Sequence, residues 1–330
     1  MSIQKKLKLV LPKGSLWRVV KEIFADAGYN ISGNDRDYRP SINDSEIEIK
    51  LLRPQEIPNY LISEEGQFDL GISGNDWIKE TGANVESILD LEIGSVKIVF
   101  CIPNFWENIG SLNEFIENFH ENDKTLRIST EYINLSVDFI MNCDSYRKIY
   151  GDKIPLVITP WKTWGSNEKV KIFLSFGATE AKPPEEVDAI IDNTDTGSTI
   201  RENSLRIVEI LDKSNGILIA NKNSLKDPWK KEKIKDIRIL LAGVTEARKK
   251  LHIFMNVREE NLNKLINLLP ALKRPTISKL TGEGSEGWFA INSIIEKKDL
   301  IGLIPRLRTL AQGIVVNEPR QVLPMDKSEF

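Results

Sequence analysis

Histidine and cysteine are scarce in this chain of 330 residues, with only two of each. His120 and His252 stand alone in sequence, which argues against a histidine-ligated metal centre and a Ser/His/Asp triad. Cys101 and Cys143 lack the paired spacing of a zinc or redox motif and read as reduced, half-buried thiols. No apolar run approaches the roughly 20 residues of a membrane span, and there is no repeat or low-complexity segment. Met1 to Lys8 passes from polar residues directly into a strand-like run, without the apolar core of a signal peptide. An excess of charge is also missing. Lys and Arg total 45 against 48 Asp and Glu, interspersed, for a net charge of −3, so no basic face for nucleic acid is evident. The expectation is a cytoplasmic protein with neither nucleic-acid nor membrane partners. An anionic substrate would have to be held locally, by loop amides, a few cations and a bound metal.

What is present is the balance of a globular protein, 41% hydrophobic and 28% charged, in a chain too long for one core. Residues 7–11 read as a buried strand, followed by the turn Pro12-Lys13-Gly14. Ser15 then suits an N-cap for a helix that puts Leu16, Val19, Val20, Ile23 and Phe24 on one face, and Gly28 ends it. Strand-like runs at 47–52, 68–72 and 96–102 alternate with helical segments, implying a mainly parallel sheet covered on both faces. A second α/β unit begins near Pro103, with a strand at 126–130, a helix over 133–149 and an irregular stretch at 153–177 around Trp161 and Trp164. Strands follow at 187–192, 205–211 and 217–220, and a charged helix starts near Asp227.

The last stretch is a separate unit: strand 251–257, helix 259–269, strand 276–280, turn, strand 288–295, helix 298–310, strand 313–316. That βαββαβ order is ferredoxin-like. The fold class is therefore α/β, a two-lobed core on the plan of periplasmic binding proteins plus a ferredoxin-like C-terminal domain. Residues 1–104 and 205–245 form lobe I, 105–204 lobe II and 246–330 the last domain.

The most informative segment is the apolar strand ending in Asp192-Asn193-Thr194-Asp195-Thr196-Gly197-Ser198-Thr199-Ile200. An acid at the strand end, then hydroxyls around a glycine, then a helix start, make an anion cradle suited to a phosphate monoester. Gly197 permits close backbone approach. A capped strand-to-helix turn is the plainer reading of Asp195 to Thr199.

The arrangement resembles the phosphoribosyl-pyrophosphate loop of phosphoribosyltransferases. Other segments resemble one family, the ATP phosphoribosyltransferases, in order along the chain: Leu11 to Leu16 (LPKGSL), Leu52 to Pro58 (LRPQEIP), Phe68 to Ile78 (FDLGISGNDWI), Arg127 to Tyr132 (RISTEY) and Gly177 to Glu180 (GATE). Leu268 to Ser278 (LLPALKRPTIS) is similar to the regulatory domain of the long form. The resemblance implies transfer of phosphoribosyl from phosphoribosyl pyrophosphate to N1 of ATP with release of pyrophosphate, the first step of histidine biosynthesis. It also implies Mg²⁺ carried mainly by the pyrophosphate, feedback inhibition by histidine and a homo-oligomer between dimer and hexamer. Short-form members lack the C-terminal domain and need a partner resembling histidyl-tRNA synthetase. The departures are a longer 142–176 segment, Ala271 where glycine is common and an extended Gly282 to Gly287 turn.

By the resemblance, Asp192 lies at the ribose hydroxyls, and Asp195, Thr196, Gly197, Ser198 and Thr199 wrap the 5′-phosphate. Lys13, Gly14, Arg53, Asp76 and Glu131 belong to ATP, with Arg53, Glu131 and Asp192 as catalytic candidates. Lys13 and Arg53 sit in loops beyond strand ends, where open α/β sheets bind ligands, though each reads equally as a solvated surface cation. Asp76 could instead cap the helix of Trp77, and Glu131 could be a helix-start acid. Thr276 and Ser278 alternate with Ile277 on a strand and could bind histidine or line a polar sheet face. No protein carboxylate is assigned to the metal. Two rival readings remain open here. One is a hinge-closing amino-acid receptor; the other is a catalytically silent regulatory relative.

Overall fold

Short apolar runs with little room for a helix build a first sheet in the order Ile47–Leu52, Leu7–Pro12, Leu70–Gly74, Gly216–Ala220, Glu86–Asp90. The computed structural model describes residues 5–33, 37–62, 67–269 and 275–323; Pro270 to Arg274 of the regulatory-domain motif lie outside them. The first three strands are parallel and the last two antiparallel. Leu70–Gly74 and Gly216–Ala220 are buried at every position, the continuous burial of central strands covered on both faces. Gly71 is small because a Cβ there would stand 2.7 Å from Val10 Cγ1 and 3.0 Å from Leu61 Cδ1.

The second sheet runs Thr163–Trp164, Pro155–Ile158, Asn167–Leu174, Leu126–Thr130, Ala189–Thr194, Val96–Pro103, Leu205–Ser214. Its core joins Phe100, Phe115, Tyr132 and Tyr146 with aliphatic strand residues. Asn167–Leu174, Leu126–Thr130 and Ala189–Thr194 are parallel neighbours. Their carboxyl ends deliver Ser175, Glu131 and Asp195 to one edge of the sheet.

Two segments carry the chain between the sheets. Residues 91–95 lead from Glu86–Asp90 into Val96–Pro103, and Asn215 alone separates Leu205–Ser214 from Gly216–Ala220. The crossing is laced by hydrogen bonds: Leu91 N–H to Gly216 O (3.0 Å), Gly216 N–H to Ile93 O (2.8 Å) and Ser95 Oγ to Asn215 Oδ1 (2.6 Å). The second sheet thus begins at Val96 and ends at Ser214, whereas lobe II was expected over 105–204. The flanking strands are long enough to pair with each other and with Ala189–Thr194, so they belong to that sheet.

The helix expected over 133–149 is two helices, Ile133–Met141 and Asp144–Tyr150. Asn113 explains the break, because its Oδ1 accepts the Ser145 N–H (2.8 Å) and the Cys143 thiol (3.0 Å), satisfying the start of a second helix. Glu86–Asp90 gave no strand signal because its residues, ESILD, have two acids and no buried position.

By internal contacts the chain forms two compact units. Met1–Val19, Asp35–Arg39 and Glu46–Asp227 make the first, and it holds both sheets. Val20–Asn34, Pro40–Ser45 and Pro228–Phe330 make the second. The Pro228–Ala247 helix therefore belongs with the second unit, not with lobe I, which was expected to extend to 245. A Lys233–Asp44 ion pair (2.7 Å) fastens that helix within the unit. The rest of the unit is Lys250–Arg258, Glu259–Leu268, Thr276–Lys279, Trp288–Glu296, Leu300–Leu307 and Ala311–Asn317. The four strands form an antiparallel sheet in which Lys250–Arg258 and Trp288–Glu296 are central. That is the ferredoxin-like arrangement. Ile253, Met255, Val257, Leu265 and Ile291 fill its core.

The tight fit at residue 71 yields a check. Gly71→Ala is expected to lower the unfolding free energy by about 1–3 kcal/mol, the usual cost of overpacking, read as a lower urea midpoint with an unchanged m-value.

Candidate active site

The Lys13 N–H bonds to Leu52 O (2.7 Å), which brings the first two strand-end loops together. Ser73 Oγ donates to Pro54 O (2.8 Å) and fixes the Arg53-Pro54-Gln55 turn against the neighbouring strand. A cavity of about 540 Å³ opens beside these loops, lined by Lys13, Gly14, Arg53, Asp76, Glu131 and Asp195 among others. Those six are all residues singled out from sequence, and they come from both lobes. Asp192, Thr196, Gly197, Ser198 and Thr199 do not line that cavity; they form the strand end and turn of which Asp195 is the cavity-facing member. Thr276 and Ser278 lie in the other unit on the edge strand Thr276–Lys279, exposed and on one face.

The Asp195 to Thr199 turn is built by its own side chains. Gly197 adopts φ 73°, the left-handed region, and its N–H donates to Thr194 Oγ1 (2.9 Å). Thr196 Oγ1 lies 3.1 Å from Ser198 Oγ, and Arg201 Nη1 donates to Thr196 O (3.1 Å). The helix that follows, Ser198–Glu202, is a single turn of 5 residues. Its macrodipole is correspondingly slight, so the cradle consists of loop amides and hydroxyls.

Asp76 reaches the cavity wall, but its carboxylate is engaged inside the protein. Oδ1 accepts from Ser214 Oγ (2.7 Å) and Oδ2 from the Tyr132 hydroxyl (2.8 Å), while the Asp76 N–H donates to Ser214 Oγ (3.0 Å). Tyr132 OH in turn accepts from Asn193 Nδ2 (2.9 Å), and the Tyr132 ring stacks on Trp77 at 4.4 Å. Asp76 does not cap the Asn75–Thr81 helix, whose N-cap is Gly74. One turn later Glu80 caps a helix in the opposite lobe: its two carboxylate oxygens accept the N–H groups of Asn134 and Leu135, both at 3.0 Å. Burial raises the Glu80 pKa against these bonds.

Charge is arranged unevenly. Lys13 Nζ sits 3.7 Å from the Tyr38 ring centroid, and hydrogen bonding to this lysine lowers the Tyr38 pKa. Arg53 is exposed and makes no ion pair among the described residues. Opposite them, burial lifts Glu131 above the ordinary carboxylate range, opposed by a hydrogen bond from Gln55 and by Lys182. Asp192 is half-buried, and burial pushes it up to about 6, helped by the nearby charges of Glu131 and Glu180. Among the described residues, no three His, Cys, Asp or Glu side chains are placed to hold a metal ion. Gln55, Tyr132, Asn193 and Lys182 were not among the residues singled out from sequence; the first three lie inside the motif segments but carry no signal as isolated residues.

The family model described as HisG: ATP phosphoribosyltransferase matches residues 53–243, and that for HisG, C-terminal domain, matches 247–318. The ATP phosphoribosyltransferase of Pelodictyon phaeoclathratiforme (strain DSM 5477 / BU-1) is 39% identical over 319 residues, 95% of this chain and 96% of that protein. That of Chlorobaculum parvum (strain DSM 263 / NCIMB 8327) is 40% identical over 314 residues, 93% and 94% of the two chains. Among solved structures, a chain of the ATP phosphoribosyl transferase (HisG:HisZ) complex from Thermotoga maritima aligns with a TM-score of 0.53 and 22% identity. It covers 73% of this chain and 98% of that one, a likeness of fold.

The raised Asp192 pKa has a consequence for stability. Its folded value, about 6, exceeds the ordinary 3.8, so the folded state binds more protons between these values and stability falls as pH rises through them. Asp192→Asn is expected to raise the unfolding free energy at pH 7 by about 1–2 kcal/mol, with the gain vanishing below about pH 4. Urea unfolding at the two pH values checks it.

Proposed function

This chain belongs to the ATP phosphoribosyltransferase family, and from that premise we propose that it joins N1 of ATP's adenine to C1 of phosphoribosyl pyrophosphate, releasing pyrophosphate, in the first step of histidine biosynthesis. The observation that carries the reading is the cavity of about 540 Å³ on which Lys13, Arg53, Glu131 and Asp195 converge from two lobes. Its size is in the range of small-molecule sites, about 300–1,000 Å³.

The Asp195 to Thr199 turn takes the 5′-phosphate on its backbone N–H groups and hydroxyls. Asp192 and Glu131 accept hydrogen bonds from ribose hydroxyls or the adenine amino group. Lys13 and Arg53 meet triphosphate or pyrophosphate oxygens. Adenine N1 attacks as a neutral nitrogen, so the protein's work is alignment and electrostatic stabilisation of an oxocarbenium-like state. Mg²⁺, the expected metal, would neutralise leaving-group charge on the pyrophosphate. Among the described residues no three His, Cys, Asp or Glu side chains are placed to hold it, and no protein carboxylate is assigned to it.

The second unit is proposed to hold the feedback inhibitor, histidine, and to build a homo-oligomer between dimer and hexamer. Thr276 and Ser278, exposed on one face of its sheet, support the ligand part of that reading. Its βαββαβ domain also supports independence from a synthetase-like partner. The enzyme is proposed to act in the cytoplasm; no described helix is long and apolar enough to cross a membrane.

Purified full-length protein is expected to form a new ultraviolet-absorbing product only when ATP, phosphoribosyl pyrophosphate and Mg²⁺ are all present. Gly197→Ala places a Cβ in the left-handed region and 3.0 Å from Arg201 Nη1. With Thr199→Ala, it should cut kcat/KM for phosphoribosyl pyrophosphate at least about a hundredfold without unfolding the chain. Full activity in that double variant refutes the assignment of the turn.

A further inference from the structure

Two aromatic rings stand in solvent at the edge of the second sheet that also carries Glu131. Trp161 and Phe176 are each 72% exposed, and their ring centroids lie 6.0 Å apart with the planes tilted by 42°. Single exposed apolar side chains are ordinary, but exposed apolar surface gathered in one place marks a binding site. Tilted rather than stacked, neither ring covers the other. The second tryptophan of the same irregular stretch behaves differently. Trp164 packs against the buried core, with the Lys162 ammonium 5.6 Å from its ring centroid.

Short closed turns hold both rings. Trp161 lies in the link between Pro155–Ile158 and Thr163–Trp164, where the Thr159 N–H (2.9 Å) and hydroxyl (2.8 Å) both donate to Lys162 O. The Lys162 N–H returns a bond to Thr159 Oγ1 (3.0 Å). Phe176 follows Asn167–Leu174, after the Ser175 N–H has bonded to Thr130 O (2.8 Å) on the neighbouring strand. Gly177 and Ala178 then take left-handed φ of 98° and 50°, which reverses the chain directly after the ring. This turn also abuts the site, since a Cβ on Gly177 would meet Glu131 Oε1 at 4.0 Å. Rings fixed by such turns lose little further freedom when a ligand covers them.

Register sets these turns in line with the rest of the site. Pro155–Ile158, Asn167–Leu174, Leu126–Thr130 and Ala189–Thr194 are consecutive parallel neighbours. Ile158 lies opposite Phe173, and Thr130 lies opposite both Leu174 and Ile191. Their carboxyl ends therefore present, in order, Trp161, Phe176, Glu131 and the segment from Asp192 to Thr199. At about 4.8 Å per strand the row spans about 15 Å. It is aromatic at one end, acidic in the middle, and rich in amides and hydroxyls at the other. Base, sugar and phosphate follow one another in a nucleotide in that same order. We propose that Trp161 and Phe176 form a stacking platform for the adenine ring of the acceptor nucleotide, selecting a base-bearing ligand over a bare polyphosphate. The proposal rests on the transferase reading above, in which the 5′-phosphate occupies the far end of the row. Flat aromatic rings suit such a ligand because every base offers a π-face.

The test compares the full-length wild type with three double variants: Trp161→Ala with Phe176→Ala, Trp161→Leu with Phe176→Leu, and Trp161→Phe with Phe176→Tyr. Calorimetry with ATP in excess Mg²⁺, and separately with inorganic tripolyphosphate, reads binding without turnover. The alanine pair is expected to weaken ATP about tenfold to a hundredfold, the range of base–aromatic stacking. KM for ATP should rise with it, and KM for phosphoribosyl pyrophosphate should barely move. Tripolyphosphate binding should stay as it is, the leucine pair should remain weak, and the aromatic swap should bind ATP as the wild type does. Tm should hold throughout, since both side chains are exposed. Three results overturn the proposal: unchanged ATP affinity in the alanine pair; equal losses of ATP and tripolyphosphate; or full recovery with leucines, the mark of plain apolar packing. If the alanine pair does not fold, the leucine pair replaces it, and wild-type ATP affinity there overturns the proposal equally. A wild type that binds ATP but makes no product refutes the transferase reading, while the calorimetric comparison still decides the platform. A wild type that binds no ATP overturns the platform itself.

Discussion

Burying the Asp76 carboxylate is the constraint around which the first unit is organised. A charge out of water is tolerated only when partners surround it, and here they come from three places: Ser214 on a crossing strand, Tyr132 in the second lobe, and its own helix beside the Trp77–Tyr132 stack. Glu80 repeats the device one turn later on the Ile133–Met141 helix. The second lobe therefore supplies partners for both acids of the Asn75–Thr81 helix. The segment joined most tightly, Tyr132 with its neighbours, follows directly after Glu131, so the inter-lobe contact fixes the approach of a candidate catalytic carboxylate.

Above that frame the site keeps its acids close and its cations apart. Glu131 lies near enough to Asp192 to raise its cost of ionisation, beyond what burial does, an unfavourable arrangement for stability that is common where ligands bind. Lys13 and Arg53 stand on the opposite loops. On the proposed function, the cations would meet the substrate's oxyanions and the acids its hydroxyl and amino hydrogens. The reading as a hinge-closing amino-acid receptor accounts less well for the hydroxyl-rich turn after Ala189–Thr194.

Much of the frame was legible. Apolar strands of four to eight residues, the 3.6-residue face of Leu16, Val19, Val20, Ile23 and Phe24, and the βαββαβ order all come from local pattern. Lys13, Arg53, Glu131 and Asp195 reach one cavity because strands of the two sheets deliver their carboxyl ends to it. What was misread was decided elsewhere in the chain. The helix break at 142 depends on Asn113, more than twenty residues upstream. Glu86–Asp90 is a strand because Gly216–Ala220 pairs with it, not because of its own residues. The sheet boundaries at Val96 and Ser214 follow from long-range pairing that no local window records.

Sequence by itself determined most of the elements and the family, since these rest on residues adjacent along the chain and on a likeness that spans nearly all of it. Only tertiary structure decided that Asp76 is engaged by Ser214 and Tyr132, that Lys182 is held by Ser129 and Ser175, and that Gln55 reaches Glu131 from the other lobe. The physical reason is electrostatic. A side chain's charge state and partners depend on burial and on groups distant in sequence, and those are set when the two sheets meet.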